Sequence, residues 1–168
     1  MSVGEHDREN LDVFCRFLSV APFTFTAGSA RLESPPKPDA SCDRDGRVWY
    51  FELVRPVDPR IAEYTSNVKR AAKRSPEGMA PGDAITPILG AGYSNAIRKK
   101  AAKTYAVGTA PLDLLIWLDR RADFFAGGTW QYVQSDVRQA IQSHRGRWHT
   151  VWVFDPQNST ILLSERCA

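Results

Sequence analysis

The sequence predicts an α/β protein with one mixed β-sheet flanked by helices. Segments of helical period alternate with segments of strand character, in the order helix, strands, helix, helix, strand, helix, strands. One strand segment, PLDLLIWLD, is a wholly apolar run bounded by turn signals, as a buried central strand requires. An Asp-Gly turn in CDRDGR folds two extended pieces into a hairpin or a three-strand meander.

Each element has its own signal. In HDRENLDVFCRFLSVA, Leu11, Val13, Phe14 and Leu18 recur at helical spacing, and Cys15 is expected to pack with them. FTFTAGSARLE alternates, with Phe23 and Phe25 between threonines, and predicts a strand. SPPKPD breaks the chain, because prolines cannot sit in a central ladder. The strong strand Arg47–Arg55 follows the Asp-Gly turn. PVDPRIAEYTSNVKRAAKR is a helix with Pro59 in its first turn and Ile61, Tyr64, Val68 and Ala71 on its apolar side. SPEGMAPGDAITPILGAGY is rich in Gly and Pro and predicts a loop. Ser94 or Asn95 is expected to cap the next helix, NAIRKKAAKTYAV. TWQYVQSDVRQAIQSHRG turns Trp130, Val133, Val137 and Ile141 inward, and WHTVWVFD and TILLSE form two last strands around a PQNS turn.

A length of 168 residues suits one domain, expected to span residues 1–168. The composition, 43% hydrophobic and 24% charged, is that of an ordinary soluble protein. A net charge of +3 is compatible with nucleic acid but too small to argue for it. The start MSVGEHDREN lacks a basic region followed by an apolar one, so no signal peptide is expected there, and the apolar runs are too short for a bilayer. Cys15, Cys42 and Cys167 are odd in number and scattered, so they read as reduced thiols in a cytoplasmic protein. No CxxC pair and no helical His pair suggests zinc.

The chemistry turns on Glu52, an acid inside the strand Val48-Trp49-Tyr50-Phe51-Glu52-Leu53-Val54. A partly buried carboxylate must reach solvent, pair with a base, or hold a metal with another acid. Val48, Tyr50, Glu52 and Val54 share one face of the strand, and Trp49, Phe51, Leu53 and Arg55 the other. If the turn returns the chain alongside itself, Asp39 lies close to Glu52. Two converging carboxylates repel unless a cation sits between them, and Mg²⁺ suits such oxygen ligands. The plainer alternative is an ion pair from Glu52 to Arg47, Arg55 or Arg60.

Pro38-Asp39, a hairpin, and an apolar strand ending Glu52-Leu53-Val54 resemble the PD-(D/E)XK nuclease superfamily. A closer similarity is to short bacterial members with a PD…ELT pattern, a helix with spaced lysines ending in tyrosine, and a strand LLI. Here these pieces are Phe51-Glu52-Leu53, Ile97 to Tyr105, and Leu114-Leu115-Ile116. The resemblance implies a restriction-endonuclease-like fold with an α-β-β-β-α-β core and metal-assisted hydrolysis of phosphodiester bonds, DNA in preference to RNA. It implies that Asp39 and Glu52 hold Mg²⁺ or Mn²⁺, with Glu9 on the first helix as a further metal ligand. The motif's lysine falls on Val54; in such families a lysine or another residue from a neighbouring element can take over, and Lys37, Lys100 and Lys103 are the lysines at hand. Lys100 is favoured as the catalytic cation, since it follows apolar Ile97 by three residues near the packed edge of its helix. The alternative is a nuclease fold that has lost activity and binds nucleic acid or a protein partner. A homodimer is compatible with the resemblance, and no membrane partner is expected.

Other signals have plainer readings. Glu5, Asp7 and Glu9 also suit a helix start, where acids offset the macrodipole. The basic clusters Lys69-Arg70 with Lys73-Arg74, and Arg98-Lys99-Lys100 with Lys103, are a solvated face or a rim for phosphates. Gly90 and Gly92 precede a helix and are a hinge or a phosphate cradle. Trp49, Trp117 and Trp152 fall in strand patterns and read as core, while Trp130 and Trp148 open their elements.

Overall fold

The computed structural model describes residues 3–57, 59–74, 90–118 and 130–167. Its element order is α1 (Val3–Val20), β1 (Arg31–Leu32), β2 (Ala40–Arg44), β3 (Arg47–Val54), α2 (Pro59–Arg74), α3 (Ala91–Ala101), β4 (Leu112–Trp117), α4 (Trp130–Gln142), β5 (Thr150–Asp155) and β6 (Thr160–Arg166). The six strands form one mixed sheet in sequence order, β1-β2-β3-β4-β5-β6. β3, β4 and β5 run parallel, and the remaining neighbours are antiparallel. The α/β class and the single mixed sheet are therefore as the sequence predicts. Among the described residues, no helix is long and apolar enough to cross a membrane.

Sequence alternation explains the two cores. One face of the sheet packs Phe51, Leu53, Leu115, Trp117, Trp152 and Phe154 against Val13, Phe14, Phe17 and Leu18 of α1. Phe17 sits at the centre, with ring centroids 5.9 Å from Phe51, 5.4 Å from Trp152 and 5.7 Å from Phe154. The opposite face packs Leu114, Ile116, Val151 and Val153 against Tyr93 and Ile97 of α3 and Val133, Val137 and Ile141 of α4. β4 is buried along its whole length, as its unbroken apolar run predicts.

Several local expectations are corrected. Phe23 and Phe25 are half-buried and the threonines beside them exposed, so the alternation is real. The ladder, however, covers only Arg31–Leu32, because alternation reports burial and not strand pairing. Cys15 is exposed rather than packed, since the buried stripe of α1 falls on Val13, Phe14, Phe17 and Leu18. Tyr64 is 37% exposed and not part of a buried side. The side chains of Ile61, Val68 and Ala71 lie outside the described set, as does most of the Gly/Pro-rich loop, residues 75–89. Trp148 is buried. The turn between β2 and β3 carries positive φ at Asp45 (50°) and Gly46 (72°), the pairing that a two-residue hairpin of matching twist needs.

α3 starts one turn earlier than its polar residues suggest. Its cap is Gly90, at φ 69°, and Ser94 and Asn95 lie inside the helix. A Cβ at Gly90 would stand 3.2 Å from Asp136 Oδ2 of α4. That carboxylate faces the helix start and disfavours an anion there, so Gly90 reads as a packing glycine and not as a phosphate cradle. Gly90→Ala is expected to cost about 1–2 kcal/mol through its left-handed backbone, with the contact to Asp136 adding to it. Urea unfolding checks this as a lower midpoint at unchanged slope.

Candidate functional site

Asp39 and Glu52 meet through the register of the hairpin. Ala40 pairs with Phe51 at the end of the β2–β3 ladder, so Asp39 arrives beside Glu52 and Leu53. The ladder stops there, and Asp39 Oδ2 accepts the Leu53 N–H at 2.9 Å. This carboxylate is pinned to the strand that carries the other acid. Glu52 itself is 1% exposed and faces the α3 side of the sheet.

A residue so buried needs compensating charge. Lys100, near the end of α3, supplies it. Its Nζ donates to Asp39 Oδ2 at 3.1 Å and to Glu52 Oε1 in a short contact. The two acids thus converge on one cationic point. Lys103 Nζ donates to the same Glu52 oxygen at 3.1 Å. α3 ends at Ala101, with the Ala102 N–H closing on Arg98 and Lys100 carbonyls, so Lys103 reaches the site from the segment after the helix. Burial lowers the pKa of Lys103, but its bond to Glu52 and the charges of Glu52 and Asp39 outweigh this and hold it above the ordinary lysine value. Tyr105 donates its hydroxyl to the Lys100 carbonyl at 3.3 Å. Burial, and then the charge of Glu52, push its pKa well above the usual tyrosine value, so it remains a phenol.

Asp39, Glu52 and Lys100 are therefore brought together. Glu52 is paired with the lysines Lys100 and Lys103. Lys37 turns away, donating to Glu33 at 3.0 Å. Val54 follows Glu52 on the same face and packs against the α3–α4 core. Glu9 is not brought to the pair. Its carboxylate stands 3.9 Å from Arg55 and 3.9 Å from His6, on the face of the sheet that α1 covers. It misses the acid pair because Arg55, like Phe51 and Leu53, points to the opposite side from Glu52. Among the described residues, no three His, Cys, Asp or Glu side chains gather as a metal-ligand set. Arg98 and Lys99 are exposed beside Lys100, and Arg70 is exposed on α2; Lys69, Lys73 and Arg74 are outside the described side chains.

A second polar cluster lies on the α1 face, and sequence reasoning missed it. Asp113, within the apolar run of β4, is fully buried. Its carboxylate accepts the Thr150 N–H at 3.0 Å and Trp152 Nε1–H at 2.8 Å. His149 Nδ1 stands 3.6 Å away, its ring edge-on to Trp49. The one signal was an acid inside an otherwise apolar strand. Burial pushes Asp113 up to about 7 against the pull of these bonds. Between the unfolded value of about 3.9 and 7, the folded chain holds a proton that the unfolded chain has lost, so this contribution to stability falls as pH rises. His149 has the opposite sign. Burial, Arg166 and Arg44 lower its pKa, so its contribution is lost as pH falls below the unfolded value. Asp113→Asn is expected to remove the first slope, flattening the stability profile by about 3 kcal/mol between pH 4 and 7. Urea unfolding across that range checks it, and profiles parallel to the parent would contradict it.

No protein-family model, no curated protein and no solved structure matches the chain.

Proposed function

We propose that the protein is a divalent-metal-dependent, nuclease-like hydrolase of phosphodiester bonds, with a restriction-endonuclease-like arrangement of its sheet. One observation carries the reading. The Lys100 ammonium bonds both Asp39 and Glu52, so two carboxylates, one just before β2 and one on β3, aim at a single cation-sized place. The donor set fits Mg²⁺ or Mn²⁺, which take one or two carboxylates and fill their remaining positions with water and substrate phosphate. Asp39 and Glu52 would hold the ion, which when bound supplies Lewis-acid stabilisation of charge on a phosphate.

The chain's own residues do the rest. The Leu53 N–H fixes the orientation of Asp39. Burial of Glu52 keeps its carboxylate in a low-dielectric setting, where its attraction for a cation is stronger than in water. Lys100 stands in for the motif lysine missing at Val54, and it would orient the attacking water or steady developing negative charge. Exposed Arg98 and Lys99 offer cations to a phosphate backbone. DNA in preference to RNA rests on the resemblance alone, as does a homodimeric form. A cytoplasmic setting accords with the free thiols of Cys15, Cys42 and Cys167.

A second reading, a nuclease fold that binds nucleic acid or a protein without cutting, also has an observation behind it. Two acids and two lysines already balance in charge, and Lys100 and Lys103 satisfy Glu52 without an ion. Calorimetric titration with Mn²⁺ tests the proposal. The parent is expected to bind, and Asp39→Ala and Glu52→Ala to weaken binding at least tenfold. Unchanged affinity in both variants would sink the metal site. Binding by the parent with no cleavage of plasmid or single-stranded DNA in Mg²⁺ or Mn²⁺ would favour the second reading.

A further inference from the structure

We infer that a cavity beside the acid pair receives one unstacked nucleobase of a single-stranded nucleic acid whose phosphate lies at Asp39 and Glu52. This rests on the reading of that pair as a nuclease centre, and it adds a preference for single strands. The cavity has a volume of about 190 Å³ and opens where the end of β3 meets α2 and α3. Val54, Val57, Ala62 and Ala96 give it apolar walls, and Arg55, Asn95 and Lys99 add polar groups. Pockets for drug-sized ligands run from about 300 to 1,000 Å³, so this one has room for a single ring-sized group and not for two stacked bases.

Its position supports the assignment. Lys100 lines the cavity and also bonds Asp39 and Glu52, so the cavity begins one side chain from the acids. A nucleotide has the matching bipartite chemistry, an anionic phosphate joined through its sugar to a flat apolar-faced ring. The phosphate would meet the cations Lys100 and Lys99, and the ring the aliphatic walls. Asn95 Oδ1 already accepts a bond from Arg98 at 2.9 Å, so the amide offers Nδ2–H to a carbonyl on the base edge. Valine at the motif's lysine position gains a role, since Val54 is a wall that an ammonium stem would fill with charge. In a duplex the bases are paired and stacked, and one reaches such a cavity only after unstacking. A single strand offers its bases at far smaller cost.

Fluorescence anisotropy on the full chain tests this, with Ca²⁺ in place of Mg²⁺ or Mn²⁺, so that the carboxylates still carry a divalent ion in a looser geometry that does not support cutting. The probes are a labelled 12-nucleotide single-stranded DNA and the duplex of the same sequence. The parent is expected to bind the single strand about tenfold more tightly than the duplex. Ala62→Phe, at an exposed rim position, and Asn95→Ala are each expected to reduce that ratio at least threefold while their urea midpoints stay near that of the parent. A strand carrying 2-aminopurine should brighten on binding the parent and brighten less on binding Ala62→Phe. Equal affinity for the two probes, or a preference that survives both variants, overturns the cavity assignment and leaves the nuclease reading standing. Binding of neither probe overturns both.

Discussion

Replacing Lys100 with methionine is expected to destabilise the protein by about 3 kcal/mol, read as a fall in urea midpoint at unchanged slope. Methionine keeps most of the aliphatic stem, so packing along α3 changes little. The loss is electrostatic. Glu52 is 1% exposed, and of Lys100 and Lys103, Lys100 is the better buried, at 16% side-chain exposure against 53%. An ammonium that is half in water is screened and compensates a buried carboxylate poorly. Removing one partner of a buried pair typically costs about 3–5 kcal/mol, and the remaining bond from Lys103 sets the lower end here. The same reasoning predicts a rescue. Glu52→Gln in the Lys100→Met background removes the stranded charge and is expected to recover most of the loss. A double-mutant cycle measures the coupling, and a coupling energy below about 0.5 kcal/mol would show that Lys100 and Glu52 are not an interacting pair.

The parts of this site that were legible in the sequence were those governed by local rules. Strand alternation put Glu52 on the face of Tyr50 and Val54, and the Asp-Gly turn brought Asp39 back toward it. Helical spacing from Ile97 put Lys100 at a packed edge. Those rules hold because backbone geometry fixes them within a few residues. Relations across elements were not legible. Lys103 reaches Glu52 because α3 stops at Ala101, two residues earlier, and nothing in NAIRKKAAKTYAV marks that end. Glu9 has the right residue type and a suitable helix, but α1 packs on the face of Phe51 and Leu53, and the choice of face is a tertiary outcome. Asp113 was hidden by its surroundings. Its partners are a backbone N–H and an indole on β5, distant in sequence, and only the parallel β4–β5 pairing brings them near. Phe23 and Phe25 show the converse, a correct burial pattern without the ladder it usually accompanies.

Glu52→Gln is expected to lower metal-dependent cleavage about 1,000-fold while changing stability by less than about 1.5 kcal/mol, a smaller loss of stability than that of Lys100→Met. Glutamine keeps the size of the side chain, and its amide oxygen can still accept a bond from Lys100 or Lys103. Neutralising one buried member of a charge cluster is often tolerated, because desolvation of the carboxylate is relieved as attraction is lost. The ion has no such compensation. With Glu52 neutral, Asp39 is the one anionic ligand left of the pair, and two ammoniums stand where a divalent cation must enter. Glu52→Asp separates charge from geometry. It retains the carboxylate but withdraws it by one methylene from the point that Asp39 faces. A misplacement on the order of 1 Å costs about 100-fold when positioning is the catalytic device. The expected order is therefore parent, then Glu52→Asp, then Glu52→Gln in cleavage rate, under saturating Mn²⁺ on a labelled single-stranded substrate. Stability should not follow that order, since glutamine fits the site better than a shortened acid. If cleavage instead tracks urea midpoint across the three proteins, Glu52 acts by holding the fold together, and the metal-centred account of this carboxylate fails.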